Sequence, residues 1–223
     1  MSIIYSKRVE LYHLLNRGVE KREVVLDDAD RRRFLHDLFV FNDENYVDPN
    51  HGRRGFHMEP SERVPLIDIH AFCLMGNHYH LLVSELRDEG IPNFMRKLNM
   101  GYAKYFNEKY DRSGVLWQGP YKKILIQRNA HFLYIPLYIH LNPLDFLSKE
   151  WRRGNIKNFD RAIEYLREYR WSSFRDYINI RNYPSILSMR LLKDSLGSSE
   201  RQIKILREIV SSPEIAAGSN ELE

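Results

Sequence analysis

The sequence predicts an α+β fold built on an antiparallel sheet, and three observations predict it. Four short stretches have the composition of strands, and two long segments of helical periodicity lie between them. The second and third strands are separated only by Met75-Gly76-Asn77, a connection short enough to demand a hairpin. Helical segments then fill the rest of the chain. The order β-α-β-β-α-β followed by helices is the ferredoxin-like arrangement, with helices on one face of the sheet plus C-terminal helices. On this reading the second sheet face is free to bind a partner or a second subunit. The expected division is one domain over residues 1–183 and a helical C-terminal tail over 184–223.

Val9 to Leu15 is apolar with partial alternation and reads as the first strand, ended by Asn16-Arg17-Gly18. Asp27 or Asp28 can cap a helix that runs to about Phe41, with Phe34, Leu35, Leu38 and Phe39 on its buried stripe. Asn42 to Ser61 is polar, carries Pro49, Gly52, Gly55 and Pro60, and reads as a long loop. Leu66 to Leu74 is the second strand and His78 to Val83 the third. Ile91, Phe94, Leu98, Tyr102, Tyr105 and Phe106 recur at helical spacing, so a helix is expected over Ile91–Tyr110, stopped by Asp111 to Gly114. Lys123 to Gln127 is the fourth strand. Asn129 can cap a helix over Ala130–Leu141, which Pro143 forbids from extending. Further helices are expected over Phe159–Tyr169, from Trp171 to Tyr177, and over Ser198–Val210, with the chain from Glu214 frayed.

The 223 residues suit one large domain, with or without an appendage. No apolar run approaches the ~18 residues that a membrane span needs, and Met1 to Lys7 lacks the pattern of a secretory signal. The lone Cys73 excludes an intrachain disulfide and a cysteine-based zinc cluster, and fits a reducing cytoplasm. Basic residues come in clumps: Lys7-Arg8, Lys21-Arg22, Arg31-Arg32-Arg33, Arg53-Arg54, Lys122-Lys123 and Arg152-Arg153. Set among frequent aromatic residues, such clumps suit single-stranded nucleic acid, because phosphates attract cations and unstacked bases seek flat partners. They suit solvated helix faces as well.

The stretch from Leu74 to Val83 concentrates the chemistry. Strand side chains alternate, so His78 and His80 point to one face and can share a metal ion; histidines packed as polar strand partners fit the same spacing. A metal would need further ligands. On the helix before Pro143, Tyr138 and Asn142 are four residues apart and share a face. Asn142 could offer a carbonyl oxygen while Tyr138 turns its phenol to the same point; a core tyrosine and a helix-capping asparagine fit equally.

The motifs Leu74-Met75-Gly76-Asn77-His78-Tyr79-His80, Tyr138-Ile139-His140-Leu141-Asn142-Pro143 and Trp171-Ser172-Ser173-Phe174 together closely resemble the REP-associated tyrosine transposases. These form an IS200/IS605-like, single-tyrosine branch of the HUH nucleases. His13-Leu14-Leu15-Asn16-Arg17-Gly18 and Gly114-Val115-Leu116-Trp117-Gln118-Gly119, with Tyr121-Lys122 after it, are similar to the same family, so the resemblance covers about Val9 to Tyr177. It implies His78, His80 and Asn142 as ligands of Mg²⁺ or Mn²⁺ and Tyr138 as the nucleophile. It implies an enzyme that cleaves single-stranded DNA beside hairpins, leaves a 5′-phosphotyrosine and a free 3′-OH, and rejoins strands by the reverse step. It also implies DNA contacts from among Asn16, Arg17, Arg31, Arg32, Trp117, Lys122, Lys123, Arg152 and Arg153, although Trp117 could be a core residue and each basic cluster solvated surface. The expected setting is the cytoplasm, at the nucleoid, as a monomer or homodimer.

The chain departs from the family pattern in three places. Gly76 stands where proline is usual, Pro120 stands where a basic residue is frequent, and Pro136 lies within the tyrosine helix, where it should kink the helix or mark its true start. Tyr102 and Tyr105 lack the Tyr-x-x-x-Asn spacing and read as core residues. Two other functions remain open: a catalytically silent hairpin-DNA-binding regulator on the same fold, and a metal-dependent phosphohydrolase that uses water.

Overall fold

The computed structural model describes residues 9–46, 63–127 and 129–213. Most of the expected loop over Asn42–Ser61, the pairs Lys7-Arg8 and Arg53-Arg54, and the chain from Glu214 lie outside them. Four strands, β1 (Tyr12–Arg17), β2 (Ile67–Leu74), β3 (His78–Glu85) and β4 (Lys122–Leu125), form one antiparallel sheet in the order β2-β3-β1-β4. Helix α1 (Asp28–Val40) links β1 to β2, and α2 (Gly90–Lys109) links β3 to β4, which is the ferredoxin-like order.

Helix α1 begins where its sequence provides a cap. The Asp27 carboxylate accepts from the Asp30 backbone N–H, and the Asp30 side chain accepts in return from the Asp27 N–H, a reciprocal capping box. Phe34, Leu35 and Leu38 of α1 meet Ile91, Phe94, Leu98, Tyr102 and Phe106 of α2 over one sheet face. Phe39 and Tyr105 are only half-buried at the margin.

The second face is covered rather than free. Helix α3 (Asn129–Leu141) lies on it, and α4 (Phe159–Glu168), α5 (Phe174–Tyr177), α6 (Arg190–Leu196) and α7 (Ser199–Ser211) pack around α3. Leu192, Leu196, Leu206, Ile209 and Val210 are all buried in this second core. At roughly 1.5–3 kcal/mol for each large apolar side chain removed from water, that burial is enough to dock the last two helices firmly.

The first strand differs from its expected limits. It begins at Tyr12 and continues through Asn16 and Arg17, read above as its end, because Asn16 pairs with Tyr79 and Arg17 with His78. The fourth strand shifts back to Lys122 to match it. Trp171 and Ser172, expected to start a helix, instead extend the free edge of β2: Ser172 bridges Cys73, and the Leu74 N–H donates to the Trp171 carbonyl at 2.9 Å.

Candidate active site

The sheet register decides which side chains meet. Residues paired across antiparallel strands point to the same side. Arg17 pairs with His78, Leu15 with His80, and His13 with Leu82, so His13, Arg17, His78 and His80 share the face on which α3 lies. The His78 and His80 rings are 5.0 Å apart, and the His13 and His80 rings stack at 5.1 Å.

Hydrogen bonds orient these rings. The Asn77 amide nitrogen donates to the Lys21 carbonyl at 3.0 Å, which turns its oxygen toward His78 Nδ1 at 2.6 Å. An amide oxygen only accepts, so His78 carries its proton on Nδ1 and presents a lone pair at Nε2. His80 Nδ1 shares a proton with His13 Nε2 at 2.9 Å. The Nε2 atoms of His78 and His80 are buried without a hydrogen-bond partner. Burial pushes His13 down to about 3. Burial, then Arg17, pushes His78 down to about 3, and burial with the His78 charge holds His80 well below its usual range. All three rings are neutral at neutral pH.

Helix α3 brings Tyr138 and Asn142 to this face. It runs unbroken through Pro136, which therefore does not mark its start. Buried Ile135 and Leu137 flank the proline and hold the helix against the core while one backbone donor is lost. Tyr138 is fully buried, with its ring edge-on to His80 at 5.9 Å and to His13 at 6.4 Å. The Asn142 amide nitrogen donates to the Tyr138 carbonyl at 2.9 Å, capping the helix, and its oxygen faces the opposite way.

Arg152 meets that oxygen. Its Nη2 donates to Asn142 Oδ1 at 3.0 Å and its Nη1 to the Tyr138 hydroxyl oxygen at 3.0 Å. Asp145 anchors the guanidinium, accepting from Nε at 2.9 Å and from Nη2 at 2.9 Å, and takes the Trp151 indole N–H at 2.7 Å. Burial alone would lower the pKa of Arg152, but the Asp145 carboxylate and the Tyr138 oxygen outweigh it and raise the pKa above its usual value. This arginine is a permanent cation.

Beside these groups lies an open pocket of about 450 Å³, whose lining includes His78, Asp145 and the cations Arg17, Lys21, Lys149 and Arg152. Lys122, exposed on β4, points to the same sheet face. The other expected DNA contacts are elsewhere. Arg31, paired with Asp28 at 3.1 Å, and exposed Arg32 belong to α1, across the sheet. Asn16 points to that opposite face and donates to the Gly119 carbonyl at 3.2 Å. Lys123 lies over the Tyr12 ring at 4.2 Å. Arg153 is exposed and pairs with Glu150 at 3.2 Å. Trp117 packs edge-on to Tyr79 at 5.4 Å and donates its indole N–H to the Asn99 carbonyl at 3.0 Å, so it sits in the core.

His13, Asn77, Asp145 and Lys149 were not picked out from the sequence as site residues. The signal for His13 was its spacing to Arg17, which puts both on one strand face. Asp145 and Lys149 carry no local signal, because their approach depends on the 3₁₀ turns Asn142–Phe146 and Lys149–Arg153. Among the described residues, no three His, Cys, Asp or Glu side chains form a metal-binding group. A cation here would therefore rest on two imidazoles and neutral or substrate oxygens.

The remaining motifs act as scaffold. The Gly18 N–H donates to the Asn77 carbonyl at 2.8 Å, and the Gln118 N–H to the Arg17 carbonyl at 2.8 Å, tying three motif segments together. A Cβ at Gly18 would come within 2.4 Å of the Arg22 carbonyl oxygen, so the close approach needs glycine there. Ser173 Oγ accepts from the Phe72 N–H at 2.9 Å and meets His140 Nε2 at 2.8 Å, which fixes α3 against β2.

Residues 61–142 match the family model described as IS200-like transposase. The matched span contains both histidines and Tyr138 and ends on Asn142, in agreement with the resemblance carried by the motifs. Among solved structures, a REP-associated tyrosine transposase bound to a REP hairpin is 14% identical over 84% of this chain and 90% of that chain, with a TM-score of 0.45. No curated protein sequence matches the chain. No helix among the described residues is long and apolar enough to cross a membrane.

Proposed function

We propose that this chain, with its IS200-like transposase segment, is a metal-dependent single-tyrosine enzyme that nicks and joins single-stranded DNA beside hairpins. The observation that carries the reading is the pair of buried, unpartnered Nε2 atoms of His78 and His80, on neighbouring rings of one sheet face with Tyr138 packed edge-on to His80. Neutral imidazoles with free lone pairs fit a divalent cation, and an asparagine oxygen completes a set without negative charge. Such a set suits Mg²⁺ or Mn²⁺ held jointly with phosphate oxygens, because hard cations prefer oxygen and Mn²⁺ tolerates imidazole. When bound, the cation supplies Lewis-acid polarisation of the scissile phosphate.

The chain's own residues do the rest. Tyr138 Oη gives up its proton and attacks phosphorus; the bond to the 3′ oxygen breaks as the tyrosyl ester forms and that oxygen takes up a proton, leaving the downstream strand on the protein through its 5′ phosphate and the upstream strand with a free 3′-OH. One phosphodiester replaces another, so a later 3′-OH can reverse the step without ATP. Arg17, Lys21 and Lys149 around the pocket bind the flanking phosphates, and His13 and Asn77 hold the two metal-binding imidazoles in position.

The silent hairpin-binding regulator has one observation in its favour: the Tyr138 phenol is fully buried and hydrogen-bonded to Arg152. The two readings separate on incubation with hairpin-bearing single strands and Mn²⁺. The enzyme forms a protein–DNA adduct that survives denaturation and is lost with chelator or in His78→Ala. Tight, chelator-insensitive binding with no adduct would establish the regulator instead, and cleavage with no adduct would establish hydrolysis by water.

A further inference from the structure

The pocket reaches His78, Asp145 and Arg152, whereas Tyr138 behind them has no exposed surface. Arg152 lies between: its side chain is 13% exposed, and its inner nitrogens hold the phenol and Asn142 Oδ1. We propose that the Asp145–Arg152 pair is an exchangeable latch, in which the guanidinium holds the place of the catalytic cation and screens the nucleophile until substrate and metal arrive. The proposal rests on the metal-site reading above and adds a positioning residue to it.

The chemistry is a competition for one oxygen. Asn142 Oδ1 is the donor that a cation needs beside the two imidazoles, and it already accepts a charge-assisted hydrogen bond. A divalent ion on the same oxygen would stand within a few ångströms of a guanidinium that cannot lose its proton, and the two repel strongly in a buried setting. Arg152 must therefore leave Asn142 for the ion to bind there. A DNA phosphate is the natural acceptor for it, since a guanidinium forks onto phosphate as it does onto Asp145. Arg17, Lys21 and Lys149 would bring such a phosphate into the same pocket. Departure of Arg152 also removes its hydrogen bond to the phenol, so metal loading, DNA binding and release of the nucleophile from the guanidinium become one event.

The test is calorimetric titration of the full chain with Mn²⁺ in the absence of DNA. Arg152→Met removes the latch but orphans Asp145. The double variant Asp145→Asn/Arg152→Met removes both charges, leaving the pocket's net charge unchanged and no buried charge unpaired. The expected result is Mn²⁺ binding about tenfold tighter in the double variant than in the wild type, the size of one charge-assisted hydrogen bond no longer in competition. The gain should vanish when Asn142→Ala is added. Equal affinity in the wild type and the double variant, or a gain that survives Asn142→Ala, would overturn the latch while leaving the metal site intact, provided that binding still requires His78. Absence of any His78-dependent Mn²⁺ binding in all variants would overturn both.

Discussion

Replacing Asp145 by asparagine keeps the side chain's shape and removes its charge. Asp145 accepts three hydrogen bonds, two from Arg152 and one from Trp151. An amide has one oxygen for these three donors, and its nitrogen would face an N–H group. Breaking a fully buried ion pair from one side costs about 3–5 kcal/mol. Here the Asp145 and Arg152 side chains keep 16% and 13% exposure, which moves the expectation to the low end, about 3 kcal/mol. With a urea dependence of about 2–3 kcal/mol per molar for a chain of this size, the unfolding midpoint should fall by about 1 M. Urea unfolding of the wild type, Asp145→Asn, Arg152→Met and the double variant gives the coupling between the two residues directly, expected to be about 2 kcal/mol. A loss under about 0.5 kcal/mol in Asp145→Asn, the range of ordinary surface substitutions, would refute this account of the pair, as would simple additivity in the double variant.

His13→Ala removes the partner that orients His80 through Nδ1. It should weaken Mn²⁺ binding about 10- to 100-fold in the calorimetric titration, and unchanged affinity would reduce His13 to a packing residue. Asp30 makes a different prediction, on stability. Burial alone would raise its pKa, but Lys109 at 2.6 Å, the Leu26 N–H and the hydroxyls of Tyr110 and Tyr105 outweigh burial and lower it. A carboxyl lowered in the folded state stabilises the fold above its unfolded pKa of about 4 and loses that contribution as pH falls through the folded value. The melting temperature of Asp30→Asn should therefore lie well below the wild type at pH 7 and converge on it below about pH 4. A gap that persists unchanged at pH 2–3 would contradict the assignment. Arg153→Ala removes only an exposed pair with Glu150 and should change stability by less than about 0.5 kcal/mol, measured in the same urea series.

How much of this was legible in the sequence depended on whether the determinant was local. The start of α1 was readable because Asp27 carries its own capping oxygen. The His78–His80 strand and the Tyr138–Asn142 face were readable because their periods fix which side chains go together. The continuation of β1 through Asn16 and Arg17 was not, since two polar residues are held in the strand by distant partners, β3 on one side and Gln118 and Gly119 on the other. Nor was the covering of the second sheet face, which depends on α6 and α7 returning from far along the chain to α3. Arg152 and Arg153 look alike in sequence, yet one turns inward to Asp145 and Tyr138 and the other outward to Glu150. Nothing in their order distinguishes them; the 3₁₀ turn that carries them does.

The proposed reaction joins Tyr138 covalently to DNA. Peptide mapping by mass spectrometry, after nuclease digestion of adducts formed with hairpin-bearing single strands and Mn²⁺, tests it most directly. The expected result is a residual 5′-phosphonucleotide on the peptide that contains Tyr138, and no adduct from Tyr138→Phe. A nucleotide on another residue, or an adduct that persists in Tyr138→Phe, would contradict it.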